Sequence, residues 1–124
     1  MTADRLLLLT PLREALERIA RKAEPLLADP SLLDQEDGQD RLDVICMQFL
    51  AAGEALKRLE KQKPGLLTTN FPEIDWKGAM GFRDVIAHQY FDLDAEQVLL
   101  ICQEALPGLL SAIRTLESEA QRQT

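Results

Sequence analysis

Within eight residues the chain gathers a guanidinium, a carboxylate, its sole imidazole and its sole phenol: Arg83, Asp84, His88 and Tyr90, in the run Gly81-Phe82-Arg83-Asp84-Val85-Ile86-Ala87-His88-Gln89-Tyr90. Hydrophobic packing has no use for that combination. An imidazole, with a reference pKa of about 6.5, can take or give a proton near neutrality. A guanidinium is a permanent forked donor for phosphate oxygens. Together they suit attack on a phosphodiester by the neighbouring ribose hydroxyl. That reaction needs a base for the hydroxyl proton, an acid for the leaving oxygen and a cation on the phosphate, but neither metal nor cofactor. Asp84, one turn before His88, is placed to orient the ring and stabilise its protonated form.

Spacing sets the conditions. On a helix turning about 100° per residue, Asp84 and His88 lie about 40° apart, Arg83 and Tyr90 nearly eclipse, and Arg83 and His88 stand about 140° apart. Arg83 and His88 converge only if the helix ends near His88 or if a second copy completes the pocket. One histidine cannot be acid and base at the same instant, a difficulty a symmetric dimer removes. Each residue also has an ordinary use: histidine as a helix-end cap, Tyr90 with Phe91 as a core or interface anchor, Arg83 with Asp84 as surface charge. Spacing alone leaves a nuclease and a docking surface both open.

The elements that must carry these groups read as helices. Thr10-Pro11 looks like an N-cap with proline at the first helical position, followed by Leu12, Leu16, Ile19, Ala20 and Ala23 at helical spacing, fading between Pro25 and Pro30. A long amphipathic helix follows on Leu42, Ile45, Cys46, Phe49, Ala52, Leu56 and Leu59, stopped by Lys63-Pro64-Gly65. Gly53, near its stripe, can admit a neighbouring helix. A third helix runs from about Glu73 through the motif, with Trp76, Ala79, Met80 and Ile86 on its buried side. The last begins at the cap Asp94, carries Val98, Ile101, Cys102, Ala105, Leu109, Ile113 and Leu116, and should bend or break at Pro107-Gly108. With no convincing strand, the pattern predicts an all-α antiparallel bundle of four to five helices in one domain over 1–124, with 117–124 frayed.

Composition narrows the class. The 124 residues carry 46% hydrophobic and 28% charged residues, enough for one core. No apolar run nears the roughly 20 residues of a membrane span and Leu6–Leu9 lacks the flanks of a signal peptide, so a cytoplasmic protein is expected. Cys46 and Cys102 read as reduced, structural thiols; with one distant histidine they make no metal set. The formal charge of −7 repels nucleic acid as a whole, so any phosphate must be held locally. Acids crowd Asp29 to Asp43, while bases gather at Arg18, Arg21 and Lys22, at Lys57, Arg58, Lys61 and Lys63, and at Lys77 and Arg83.

The motif run matches R-x4-H-x-Y. Its flanks, Pro72-Glu73-Ile74-Asp75-Trp76-Lys77, Gly81-Phe82 and Phe91-Asp92-Leu93-Asp94, together with Gly53-Glu54-Ala55, fall in the order seen in the HepT-like branch of the HEPN superfamily. The chain resembles that branch from about Asp4 to Leu116. These are small helical proteins encoded beside minimal nucleotidyltransferases as toxin and antitoxin. The resemblance implies a homodimeric bundle of a type VII toxin–antitoxin system and metal-independent endoribonuclease activity on mRNA or tRNA, with no DNA, membrane or cofactor needed. It assigns Arg83 and His88 as the catalytic pair, Asp84 as the polar position beside them, and Tyr90 as the tyrosine adenylylated by the cognate nucleotidyltransferase. An added adenylate would block by charge and volume together. The alternative is a catalytically silent module that binds the nucleotidyltransferase or nucleotides.

Overall fold

In the computed structural model, which describes residues 2–123, five helices are joined by short turns, with no strand among the described residues. Helix α1 is Thr2–Ala28, α2 Glu36–Gln62, α3 Trp76–Gln89, α4 Ala95–Glu104 and α5 Leu106–Arg122. Short 3-10 turns cover Pro30–Asp34 and Tyr90–Asp92.

The first helix starts well before Thr10, contrary to the reading of Thr10-Pro11 as its N-terminus, and Pro11 and Pro25 both lie inside it. Two observations account for this. The buried stripe of Leu9, Leu12, Leu16, Ile19, Ala23 and Leu26 begins ahead of the proline, so packing holds the turn that Pro11 would interrupt. The carbonyls that lose a partner belong to Leu7 and Arg21, both exposed residues, so water can take the missing bonds.

Helix α2 is the centre of the bundle, buried along Ile45, Cys46, Phe49, Ala52, Leu56 and Leu59 and packed against α1 on one side and α3 on the other. Its start is pinned by Gly38, where a Cβ would sit 1.8 Å from the Leu32 carbonyl oxygen. Beyond its end, Glu60 accepts from the backbone N–H groups of Gly65 (2.6 Å) and Leu67 (3.1 Å), which fixes a turn that Gly65 makes at φ 89°. Trp76 then donates its indole N–H to the Phe71 carbonyl (2.9 Å), and Asp75 caps α3 through Gly78 N–H (2.9 Å).

The expected interruption at Pro107-Gly108 splits the last helix. The break falls at Ala105, two residues ahead of the proline, and α4 and α5 meet at 48°. Pro107 cannot donate to residue 103, but it is well suited to the first turn of a new helix. The segment 117–124, expected to fray, is helical as far as Arg122. Helix α5 continues to Arg122 because Leu116 and Ala120 extend its buried stripe and Glu117 is ion-paired to α1; Thr124 lies outside the described residues. Arg13 meets Glu117 while Glu17 meets Arg114, a pairing that runs α1 and α5 antiparallel. Cys46 and Cys102 are free and buried, and burial pushes their thiols up to about 11 and about 12. Among the described residues no single helix is long and apolar enough to cross a membrane.

Candidate functional site

Helix α3 positions the motif, and it does so by resting chiefly on α2. Of its fourteen residues only Trp76 and Ile86 are buried, with Phe82 stacked edge-on against Phe49 of α2 at 5.1 Å. At the crossing, Gly53 faces Arg83: a Cβ on Gly53 would lie 2.5 Å from the Arg83 Cβ. The close approach foreseen for Gly53 is therefore made to the motif arginine itself.

That approach gives Arg83 its neighbours. Its guanidinium lies 3.2 Å from Asp84 Oδ1 and 3.8 Å from Glu54 Oε1, and Lys57 Nζ donates to Asp84 Oδ1 at 3.1 Å. Two cations and two carboxylates thus alternate across the α2–α3 seam, all partly exposed. Hydrogen bonds from Lys57, and secondarily from Arg83, hold the Asp84 carboxyl below its usual range. These are exposed pairs, so solvent screens them and their contribution to stability is small.

The Asp84 carboxylate is committed to Lys57 and Arg83 and makes no hydrogen bond or ion pair with the His88 ring, the partner that the spacing of four residues suggested. The His88 side chain is exposed and has no hydrogen-bond or ion-pair partner among the described residues. The helix does end close to it: Gln89 leaves helical torsions (φ −129°, ψ 27°) and the 3-10 turn begins at Tyr90. Within one chain, however, no hydrogen bond joins the Arg83 and His88 side chains. Tyr90 opens the 3-10 turn that follows α3. Its hydroxyl donates to Asp43 of α2, and its ring stands edge-on to Phe91 at 5.7 Å. Asp43 precedes Gly53 by ten residues, so the phenol is anchored roughly 15 Å along α2 from the point where Arg83 packs.

Asp43 and Lys57 are the site residues that the motif did not mark. Each is one of many acids or bases on α2, and only the pairing of two helices 27 to 47 residues apart in sequence selects them. Arranged this way, the site offers two cations to a phosphate, a solvent-open imidazole to a proton, and a phenol held at the far edge. No group of three or more metal-ligating side chains occurs among the described residues.

No solved structure matches the chain significantly. A family model described as ribonuclease HepT-like matches residues 12–116, which takes in all of α2, α3 and α4 and most of α1 and α5. Those 105 residues include the whole motif and the α2 surface against which it rests, and on that match the chain belongs to the HepT-like ribonuclease family.

Proposed function

We propose that this protein is the toxin of a toxin–antitoxin pair, a cytoplasmic, metal-independent endoribonuclease that acts as a homodimer and is silenced when its cognate minimal nucleotidyltransferase adenylylates Tyr90. The observation that carries the reading is the pairing of an exposed, unpartnered His88 with an Arg83 held only by loose, solvent-exposed carboxylates. An RNA phosphate can replace Glu54 and Asp84 around Arg83 and draw on Lys57 as a second cation. The ribose 2′-hydroxyl then attacks the phosphorus, its proton passes to one His88, and the 5′ oxygen leaves with a proton from the His88 of a second copy. The products are a cyclic phosphate and a free 5′-hydroxyl, and Arg83 stabilises the charge built up between them.

Pairing of two copies is supported by apolar surface around the motif. Phe91 is 99% exposed, Met47 62% and Val85 41%. A groove of about 830 Å³ lies between α3, along Gly78, Gly81 and Val85, and the elbow of α4 and α5 at Ala105 and Gly108. Gly81 and Val85 share a helix face with His88, seven and three residues on, so a copy seated in this groove would come up beside the imidazole.

Purified Arg83→Ala and His88→Ala proteins should lose RNA cleavage by about 100-fold or more while remaining folded and associated. If both cut total RNA as the parent does, the reading fails. A docking module without catalysis is favoured by one observation, the lack of any hydrogen bond between the Arg83 and His88 side chains within a chain. It requires that the highly purified parent bind the nucleotidyltransferase and leave RNA intact.

A further inference from the structure

Tyr90 is the only tyrosine of the chain, and its hydroxyl is not loose in solvent. It donates to the carboxylate of Asp43, which lies 47 residues earlier and on a different helix. The ring is 43% exposed and braced against Phe91, so the phenol is reachable from solvent while one of its edges is fixed on α2. A phenol must lose its proton to become an effective nucleophile toward phosphorus, and the group that takes the proton must already be within hydrogen-bond reach. Asp43 meets that geometric condition. The other candidates do not: Asp84 is engaged by Lys57 and Arg83, and the buried Cys46 thiol is pushed up to about 11 by desolvation and then by Asp43, so it stays protonated.

We infer that Asp43 is the proton acceptor for nucleotidyl transfer onto Tyr90. The inference rests on Tyr90 being the modified residue. As a nucleoside triphosphate is presented by the nucleotidyltransferase, the Tyr90 oxygen forms a bond to the α-phosphorus. The bond from that phosphorus to the bridging oxygen breaks, pyrophosphate leaves with the electron pair, and the phenolic proton passes to Asp43. The hydrogen bond to Asp43, followed by burial, raises the Tyr90 phenol to about 12, so free phenolate is scarce at neutral pH and attack depends on proton removal during the reaction itself.

The same contact gives the transfer a direction. Once esterified, Tyr90 has no proton to donate, and its phosphodiester anion faces Asp43 and an α2 start that also carries Glu36, Asp37 and Asp40. Like-charge repulsion then disfavours the adenylate at that end of α2.

The test uses the full chain, its partner nucleotidyltransferase, ATP and magnesium, with the gain of adenylate followed by mass. Asp43→Asn keeps an acceptor but removes the base, and it should lower the turnover rate about 100-fold with little change in KM for the chain. Asp43→Glu should restore the rate to within about tenfold of the parent. Modification of Asp43→Asn at the parent's rate, or faster, overturns the inference, as does a loss confined to KM, which would mark Asp43 as a docking contact. A parent that gains no adenylate overturns the reading of Tyr90 and the inference with it. Because Tyr90 is the sole tyrosine, phenolate absorbance reads its titration directly. The parent should titrate near 12 and Asp43→Asn closer to the ordinary 10.0; a parent already titrating at the ordinary value would remove the contact on which the inference stands.

Discussion

At the α1–α5 seam Arg13 donates to Glu117 and to Glu17, each at 2.7 Å, and Arg114 reaches Glu17 at 3.0 Å. At the α2–α3 seam Arg83 stands 3.2 Å from Asp84 and 3.8 Å from Glu54, with Lys57 3.1 Å from Asp84. Each cluster sets two cations against two carboxylates, but the surroundings differ. Glu117 is buried to 6% exposure, its Oε2 has no hydrogen-bond partner among the described residues, and its charge is balanced by Arg13 alone. A carboxylate in that position locks its partner in place, because nothing else can compensate it. The Arg83 cluster is a third to a half exposed throughout, so water can replace any of its members and so can a phosphate. The tight cluster holds the bundle together, and the loose one leaves its cations free to change partners.

Substitutions can break that contrast. Arg13→Ala should have the largest effect on folding, about 2 kcal/mol of lost stability in denaturant unfolding, since it strands Glu117 in the seam; Arg13 is 27% exposed, which keeps the cost below that of a fully buried pair. Equal midpoints for Arg13→Ala and parent would remove the distinction between the seams. Gly53→Ala comes next. Its methyl meets the Arg83 Cβ at 2.5 Å and must push α3 away from α2, at about 1 to 2 kcal/mol, and RNA cleavage should fall with it. Stability preserved by Gly53→Ala would mean that α3 yields without resistance. Lys57→Ala should leave the unfolding midpoint unchanged and reduce RNA cleavage on the order of tenfold, because Asp84 then competes for Arg83 without opposition.

The smallest effect is in acid. Hydrogen bonds from Arg114 first, and from Arg13, hold the Glu17 carboxyl below its ordinary 4.5 in the folded state. A carboxyl lowered by folding stabilises the fold at pH above its unfolded value, and that contribution is lost as the pH falls below about 4.5 and through the folded value. Glu17→Gln should therefore flatten the part of the acid limb of the stability curve that lies below about pH 4.5. A curve with the parent's acid limb would show that Glu17 contributes nothing there.

The same contrast explains what could be read in advance. Ile45, Phe49, Leu56 and Leu59 announce α2 because a stripe repeating every three or four residues is a property of one helix, and the cap at Asp94 likewise needs only its own neighbours. Proline was harder. Thr10-Pro11 has the local chemistry of a helix start, yet Leu9 is already buried, and packing against the rest of the bundle outweighs one missing hydrogen bond. The polar tail from Glu117 looked free to fray because its anchor, Arg13, is 104 residues away. Asp84 was matched to His88 by spacing on one helix, whereas its nearest cation stands on another.

What the sequence by itself determined is the set of helices, the motif residues and their order along α3 and the turn after it, since periodicity, capping and side-chain chemistry act over a few residues. Which groups meet was decided only by tertiary structure. A glycine at position 53 lets two helices touch at Arg83, and their crossing then selects Lys57 for Asp84 and Asp43 for Tyr90 from many equally charged candidates. Contacts between distant segments depend on the angle and register at which helices pack, and no short stretch of residues carries that information.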